Sequence, residues 1–163
     1  IRAAGMRGLA AALAFCAALE PVSALALSCA PWSPEQAFDM AAASPSRYSV
    51  VVGSFAFDAG KLPQGAMPGA KGTVVPARLA GRALSQNGFD AAYAQQVRLD
   101  VSCAASWCGS LIPGQSYLVF VEHRSAGLTV DVGPCATVVF PNPSAAEERA
   151  LTRCLAAGRC GTN

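Results

Sequence analysis

The sequence predicts a mainly β domain of about five short strands, mostly antiparallel, curling into a small closed or nearly closed barrel, with a helix before them and another after. Three observations carry this. Runs of β-branched and aromatic residues recur between residues 47 and 140, separated by turn residues. Two of the runs are joined only by Ser125-Ala126-Gly127, the length of a hairpin connection. No helical stretch lies between strands, so the crossovers of a doubly wound sheet have nowhere to form.

The elements follow in order. Ser33-Pro34-Glu35-Gln36 is a helix start, with a capping serine, a proline where its missing N–H costs nothing, and a glutamine placed to reach back to the cap. A short helix is expected over residues 34–43, too alanine-rich to form a core alone. Residues 47–58, RYSVVVGSFAFD, are the first strand, and Gly53 inside it marks a bulge or bend. Residues 59–72 are rich in Gly, Pro and Lys and read as an exposed loop. A second strand is expected over residues 73–84, where Pro76 and Gly81 argue for an edge or a kink. The third runs over 88–103, with Val97, Leu99 and Val101 alternating with Arg98 and Asp100. CAASWCGSLIPG then leads to QSYLVFVEHR, the clearest core strand, and the hairpin link to LTVDVG. ATVVF follows Cys135. After Pro143, Ser144 and Glu147 form a second capping box. Glu147 and Glu148 suit the first turn of that helix, Arg153 and Arg159 its end, and Leu151, Cys154 and Leu155 its apolar side.

The chain has 163 residues, 53% hydrophobic but only 13% charged. Much of that imbalance sits at the front. Met6-Arg7, a candidate start, opens an apolar run over residues 8–19, and Ala24-Leu25-Ala26 supplies small residues at the positions a signal peptidase reads. Residues 1–26 are therefore expected to be a secretory signal peptide cut after Ala26, and residues 27–163 one exported domain. The apolar run is short for a membrane span and Glu20-Pro21 interrupts it. Losing two arginines and one glutamate takes the formal charge from +2 to +1. Cys16 goes with the leader, leaving Cys29, Cys103, Cys108, Cys135, Cys154 and Cys160 of the seven cysteines. An even set in an exported chain reads as a disulfide framework whose connectivity the count leaves open.

The stretch from Cys108 through GSLIPGQSYLVF to Cys135, and the acidic-capped helix ending in AAGRC, resemble the netrin-like domain and, within it, the inhibitory domain of the tissue inhibitors of metalloproteinases. SCAPWSPEQAF is similar to that family's opening. The resemblance covers residues 27–160 and implies a five-stranded OB-type barrel with flanking N-terminal and C-terminal helices. Leu27 stands where the family has its first cysteine and Asp39 where it has its third, so the mates of Cys108 and Cys160 are missing. Cys29 keeps its match to Cys135. The resemblance thus implies Cys29–Cys135, with the two cysteines that the family does not place closing Cys103–Cys108 and Cys154–Cys160. It also implies that a chain cut after Ala26 offers the Leu27 amine and carbonyl to the zinc of a target metalloprotease, and Ser28 to that protease's specificity pocket.

The remaining residues argue against other chemistry. His123 is the single histidine, read as a surface or hairpin residue, and no nucleophile is linked to a base, so no catalysis is expected. No cofactor motif and no metal set of the chain's own is present in the sequence. Cys103 and Cys108 are too far apart for a two-residue redox or zinc motif. The low charge, without a basic run, excludes nucleic acid. Trp32 and Trp107, each beside a cysteine-bearing turn, read either as covers for disulfides or as aromatic anchors of a binding surface. The function expected is a secreted or periplasmic, disulfide-stabilised binding module that meets another extracytoplasmic protein through Leu27, Ser28, Trp32 and Trp107. A zinc metalloprotease is the particular partner the resemblance implies, and stable membrane insertion is not expected.

Overall fold

Both helices begin at reciprocal caps. In the computed structural model, which describes residues 29–64 and 69–161, α1 spans Pro34–Ala43 and α2 spans Ala145–Ala157. The Ser33 hydroxyl accepts from the Gln36 N–H while the Gln36 side chain accepts from the Ser33 N–H at 2.9 Å. Ser144 and Glu147 repeat the arrangement at α2, which ends at Gly158 in the left-handed conformation, φ 77°. The expected leader, and Leu27 and Ser28, lie outside the described residues.

The strands are β1 (Tyr48–Ala56), β2 (Thr73–Ser85), β3 (Gly88–Val101), β4 (Cys103–Ala104), β5 (Trp107–Cys108), β6 (Ser116–Arg124), β7 (Gly127–Val132) and β8 (Val139–Pro141). A six-stranded sheet has the order β1-β2-β3-β7-β6-β8, with an additional β1–β6 pairing, and β4 with β5 forms a separate two-stranded sheet. Alternation drives the register. Along β2, Val75, Ala77 and Leu79 are buried while Val74, Pro76, Arg78 and Ala80 are exposed. β6 is buried from Tyr117 through Val121, because both of its faces and both of its edges are covered. Val51, Phe55, Leu79, Leu99, Val119 and Val130 are among the deepest residues of the core, and Leu151 of α2 joins them.

β2 is not an edge strand. It pairs with β3 along its whole length and with β1 from Arg78 to Ala83, so Pro76 sits where only one neighbour asks for its missing N–H. Gly53 and Gly81 face each other across the β1–β2 ladder. A Cβ on either would strike the opposite backbone, at Ala80 O or Val52 O, so the strands approach there as only glycine allows.

The five-stranded OB-type barrel expected from the sequence is corrected to a mixed α/β fold on a six-stranded sheet. Two features of the chain path were absent from that expectation. β7 and β3 run parallel, from Arg98–Thr129 to Val101–Val132, because the chain leaves β3 through the β4–β5 ribbon and returns through β6 before turning into β7. β7 also parts from β6 after the Glu122–Thr129 pair, and β8 rejoins β6 only at Val119–Val139. The excursion between them, residues 133–138, splits into two strands what would otherwise be one.

Candidate functional site

That excursion forms one wall of a groove. Val138 O accepts from the Phe120 N–H at 2.9 Å where the chain returns, and Ser102 N–H donates to Val132 O at 3.0 Å where it leaves. At its centre Cys135 is joined to Cys29, 106 positions earlier. The opposite wall follows from the β4–β5 ribbon, in which Cys103 and Cys108 are directly paired and disulfide-bonded. Gly109 N–H donates to Ser102 O at 2.9 Å, and a Cβ on Gly109 would collide with Val132 O, so the ribbon's exit presses against the end of β7. Tyr117 Oη then accepts from the Ile112 N–H at 2.9 Å, and Phe55 O accepts from the Gly114 N–H at 2.9 Å, which fixes the rest of that wall on the sheet.

Between the walls lies an open groove of about 450 Å³, lined mainly by apolar groups including Leu111, Ile112, Tyr117, Val132, Pro134 and Val139. The large apolar side chains most open to solvent are Ile112, 61% exposed, which lines this groove, Trp107, 55%, which precedes its lining residue Cys108, Val74 of β2, 44%, and Trp32 ahead of α1, 39%. Val74 pairs with Asp100 near the end of β3, and Trp32 lies three residues beyond the disulfide-anchored Cys29. The sequence could raise Trp32 and Trp107 but not Ile112 or Val74, because their exposure follows from tertiary placement rather than from residue type.

A second cluster surrounds His123. The His123 N–H donates to Arg47 O, which brings the two side chains together across the β1–β6 ladder. Arg47 Nη2 lies 3.1 Å from His123 Nδ1, and Ser49 Oγ lies 2.8 Å from Nε2. A guanidinium can only donate, so it makes Nδ1 the acceptor and leaves the proton on Nε2, which then donates to Ser49. That is the reverse of what a general base for a serine needs, where the third group is a carboxylate. Burial, with the Arg47 charge, holds the His123 pKa below the ordinary imidazole value. Sequence reading placed His123 on the hairpin but missed both partners, since they lie more than seventy positions away.

On the neighbouring face, Arg124 donates to Glu122 at 2.6 Å, to Asp131 at 2.7 Å and to Asp100 at 3.3 Å. Asp100 and Asp131 are direct neighbours in the parallel β3–β7 ladder, and Arg124 neutralises that like-charge pair. Burial opposes the Arg124 charge, but the bonds to Asp131 and Glu122 outweigh it and raise its pKa. Hydrogen bonding from Ser46 and then Arg124 lowers the Glu122 pKa against the effect of its burial. The remaining disulfide, Cys154–Cys160, closes the end of α2, and Cys160 N–H donates to Asp39 of α1 at 2.6 Å. Among the described residues, no group of three or more His, Cys, Asp or Glu could hold a metal ion, and no helix is long and apolar enough to cross a membrane.

Fold and groove together define a small disulfide-stabilised domain of mixed α/β architecture. No protein family, no curated protein and no solved structure matches the chain. The netrin-like resemblance is therefore corrected, and with it the OB-fold identity, the tissue-inhibitor likeness and the metalloproteinase-inhibitor reading that Leu27 and Ser28 were to carry. The residues behind it are short local patterns. A Cys-Gly turn, a Tyr-Leu strand and an acidic helix cap suit many cross-linked β domains, because each satisfies a local rule rather than a fold.

Proposed function

We propose that the chain is a non-catalytic binding module of an oxidising extracytoplasmic space, secreted or periplasmic, and that it grips an extended apolar segment of another protein in the groove between the two cross-linked walls. The observation that carries this is Ile112, exposed and in the lining of the apolar groove, with the exposed Trp107 next in sequence to the lining residue Cys108. Exposed apolar groups scattered singly need no explanation, whereas large ones continuous with an apolar groove are the usual mark of an interaction surface. Trp107 and Trp32 are the anchors in this reading, since tryptophan contributes disproportionately at interface centres. The two disulfides support it by holding both walls before any partner arrives, which lowers the ordering cost of association. They also fit an oxidising compartment.

The test is selection of linear peptides from a random display library against the oxidised full chain, followed by titration of the selected peptides into variants. Trp107→Ala and Ile112→Ser are each expected to weaken binding by about tenfold or more. Arg153→Ala, on the far surface of α2, is expected to leave it unchanged. Peptides that bind all three variants equally, or a selection that enriches nothing, would overturn the reading.

A further inference from the structure

We infer that the Cys103–Cys108 bridge is a redox switch for the groove, opened by a dithiol reductant while the rest of the fold stays intact. The inference rests on the binding reading above, because it assigns a regulation to that surface. Four observations lead to it.

First, the bridge spans a separation of only five residues, against 106 for Cys29–Cys135. A cross-link stabilises a fold chiefly by restricting the unfolded chain, so a ring this small contributes least. Second, it lies in the β4–β5 ribbon, a two-residue pairing outside the six-stranded sheet. A short isolated hairpin is marginal by itself, so the ribbon depends on its cross-link in a way the sheet does not. Third, both cysteines are partly exposed, so an attacking thiolate can reach the ribbon; Cys154 of the α2 bridge is buried, and Cys29, which is exposed, is held in its bridge by the long loop that it closes. Fourth, the turn that the bridge closes is strained. Ala105 has φ 52°, the left-handed region that a residue with a Cβ avoids, in a turn completed by no glycine. Exposed or strained bridges are the ones that exchange readily.

The chemistry balances as follows. One thiolate of the reductant attacks a sulfur of the bridge, forming a mixed disulfide and releasing the other cysteine as a thiolate. The reductant's second thiolate then displaces the remaining cysteine. The reductant leaves as a disulfide, and Cys103 and Cys108 hold the two electrons and, once protonated, two thiols. Release of the ribbon frees the strained turn, and with it Trp107 and the Cys108–Gly109 segment that walls the groove. The oxidised groove is the binding form and the reduced one is not.

The experiment uses the oxidised full chain equilibrated across a dithiothreitol series. Free thiols are alkylated and mapped by peptide mass spectrometry, thermal unfolding is followed in parallel, and hydrogen exchange is measured where only the first bridge has opened. Cys103 and Cys108 are expected to label at roughly tenfold lower reductant than Cys29, Cys135, Cys154 and Cys160, with the cooperative transition retained and faster exchange across residues 102–112. Ala105→Asn, which tolerates the left-handed conformation, is expected to raise the reductant needed by about threefold. Simultaneous opening of all three bridges, earlier opening of either other bridge, unchanged exchange across residues 102–112, or an unshifted midpoint in Ala105→Asn would each overturn the switch. None of these readouts involves a partner, so the peptide selection stands or falls separately.

Discussion

His123 shows what a single side chain can do to acid stability. Its folded pKa lies below the ordinary value of 6.5, through burial first and the Arg47 charge second. The unfolded chain therefore takes up a proton before the native one does, and stability rises with pH across that interval and falls on acidification through it. Glu122, whose pKa is lowered from 4.5, adds stability above that value and loses it in stronger acid. The His123→Gln variant should separate the two effects. Urea midpoints measured from about pH 7 down to about pH 5 are expected to fall for the native sequence and to fall distinctly less for the variant. Equal slopes would mean that His123 is not held neutral. The histidine itself was conspicuous in the sequence as the only one, yet its role was not, because Arg47 and Ser49 reach it only once β1 and β6 are in register.

Among the elements, the helices were the most legible, since a capping box is written within four consecutive residues and both examples form. Strand positions followed from alternation to within a few residues, but strand neighbours did not. Pro76 pointed to an edge, and only the pairing map shows that β1 stops short of it. Gly53 and Gly81 each looked like an isolated bend, while in fact they are one feature, a place where β1 and β2 approach closely. Gly81→Ala is therefore expected to cost about 1–3 kcal/mol, the range for forcing an atom into a packed site. Urea unfolding reads this directly, and Ala80→Gly next to it, at an exposed position, serves as the comparison for general glycine effects. A loss below about 0.5 kcal/mol would mean that the backbones part easily there.

For the molecule as a whole, the cross-links set the hierarchy of stability. The Cys29→Ser/Cys135→Ser double variant opens the bridge with a separation of 106 residues and is expected to lose about 4–5 kcal/mol on a chain-entropy account, against about 2 kcal/mol for either short ring. Denaturant midpoints of the three double-serine variants give the order, and a smaller loss for Cys29–Cys135 than for the short rings would contradict it. An even set of six cysteines after residue 26 was plain from the sequence, but the architecture was not. Local patterns gave strands and helices and left open that β3 and β7 would lie parallel, or that β7 and β8 would be divided by an excursion. Those are decisions of the chain path, made by contacts between residues far apart. The candidate groove depends on the same decisions, so it could not be read in advance.

The long bridge has one more consequence, for biogenesis. A ribosome delivers Cys29 well before Cys135, and both Cys103 and Cys108 emerge in between. A thiol near the leading end thus meets two wrong mates before the right one exists. Correct maturation then calls for an isomerase, or for the hairpin at Cys103–Cys108 to close first and withdraw itself from the competition.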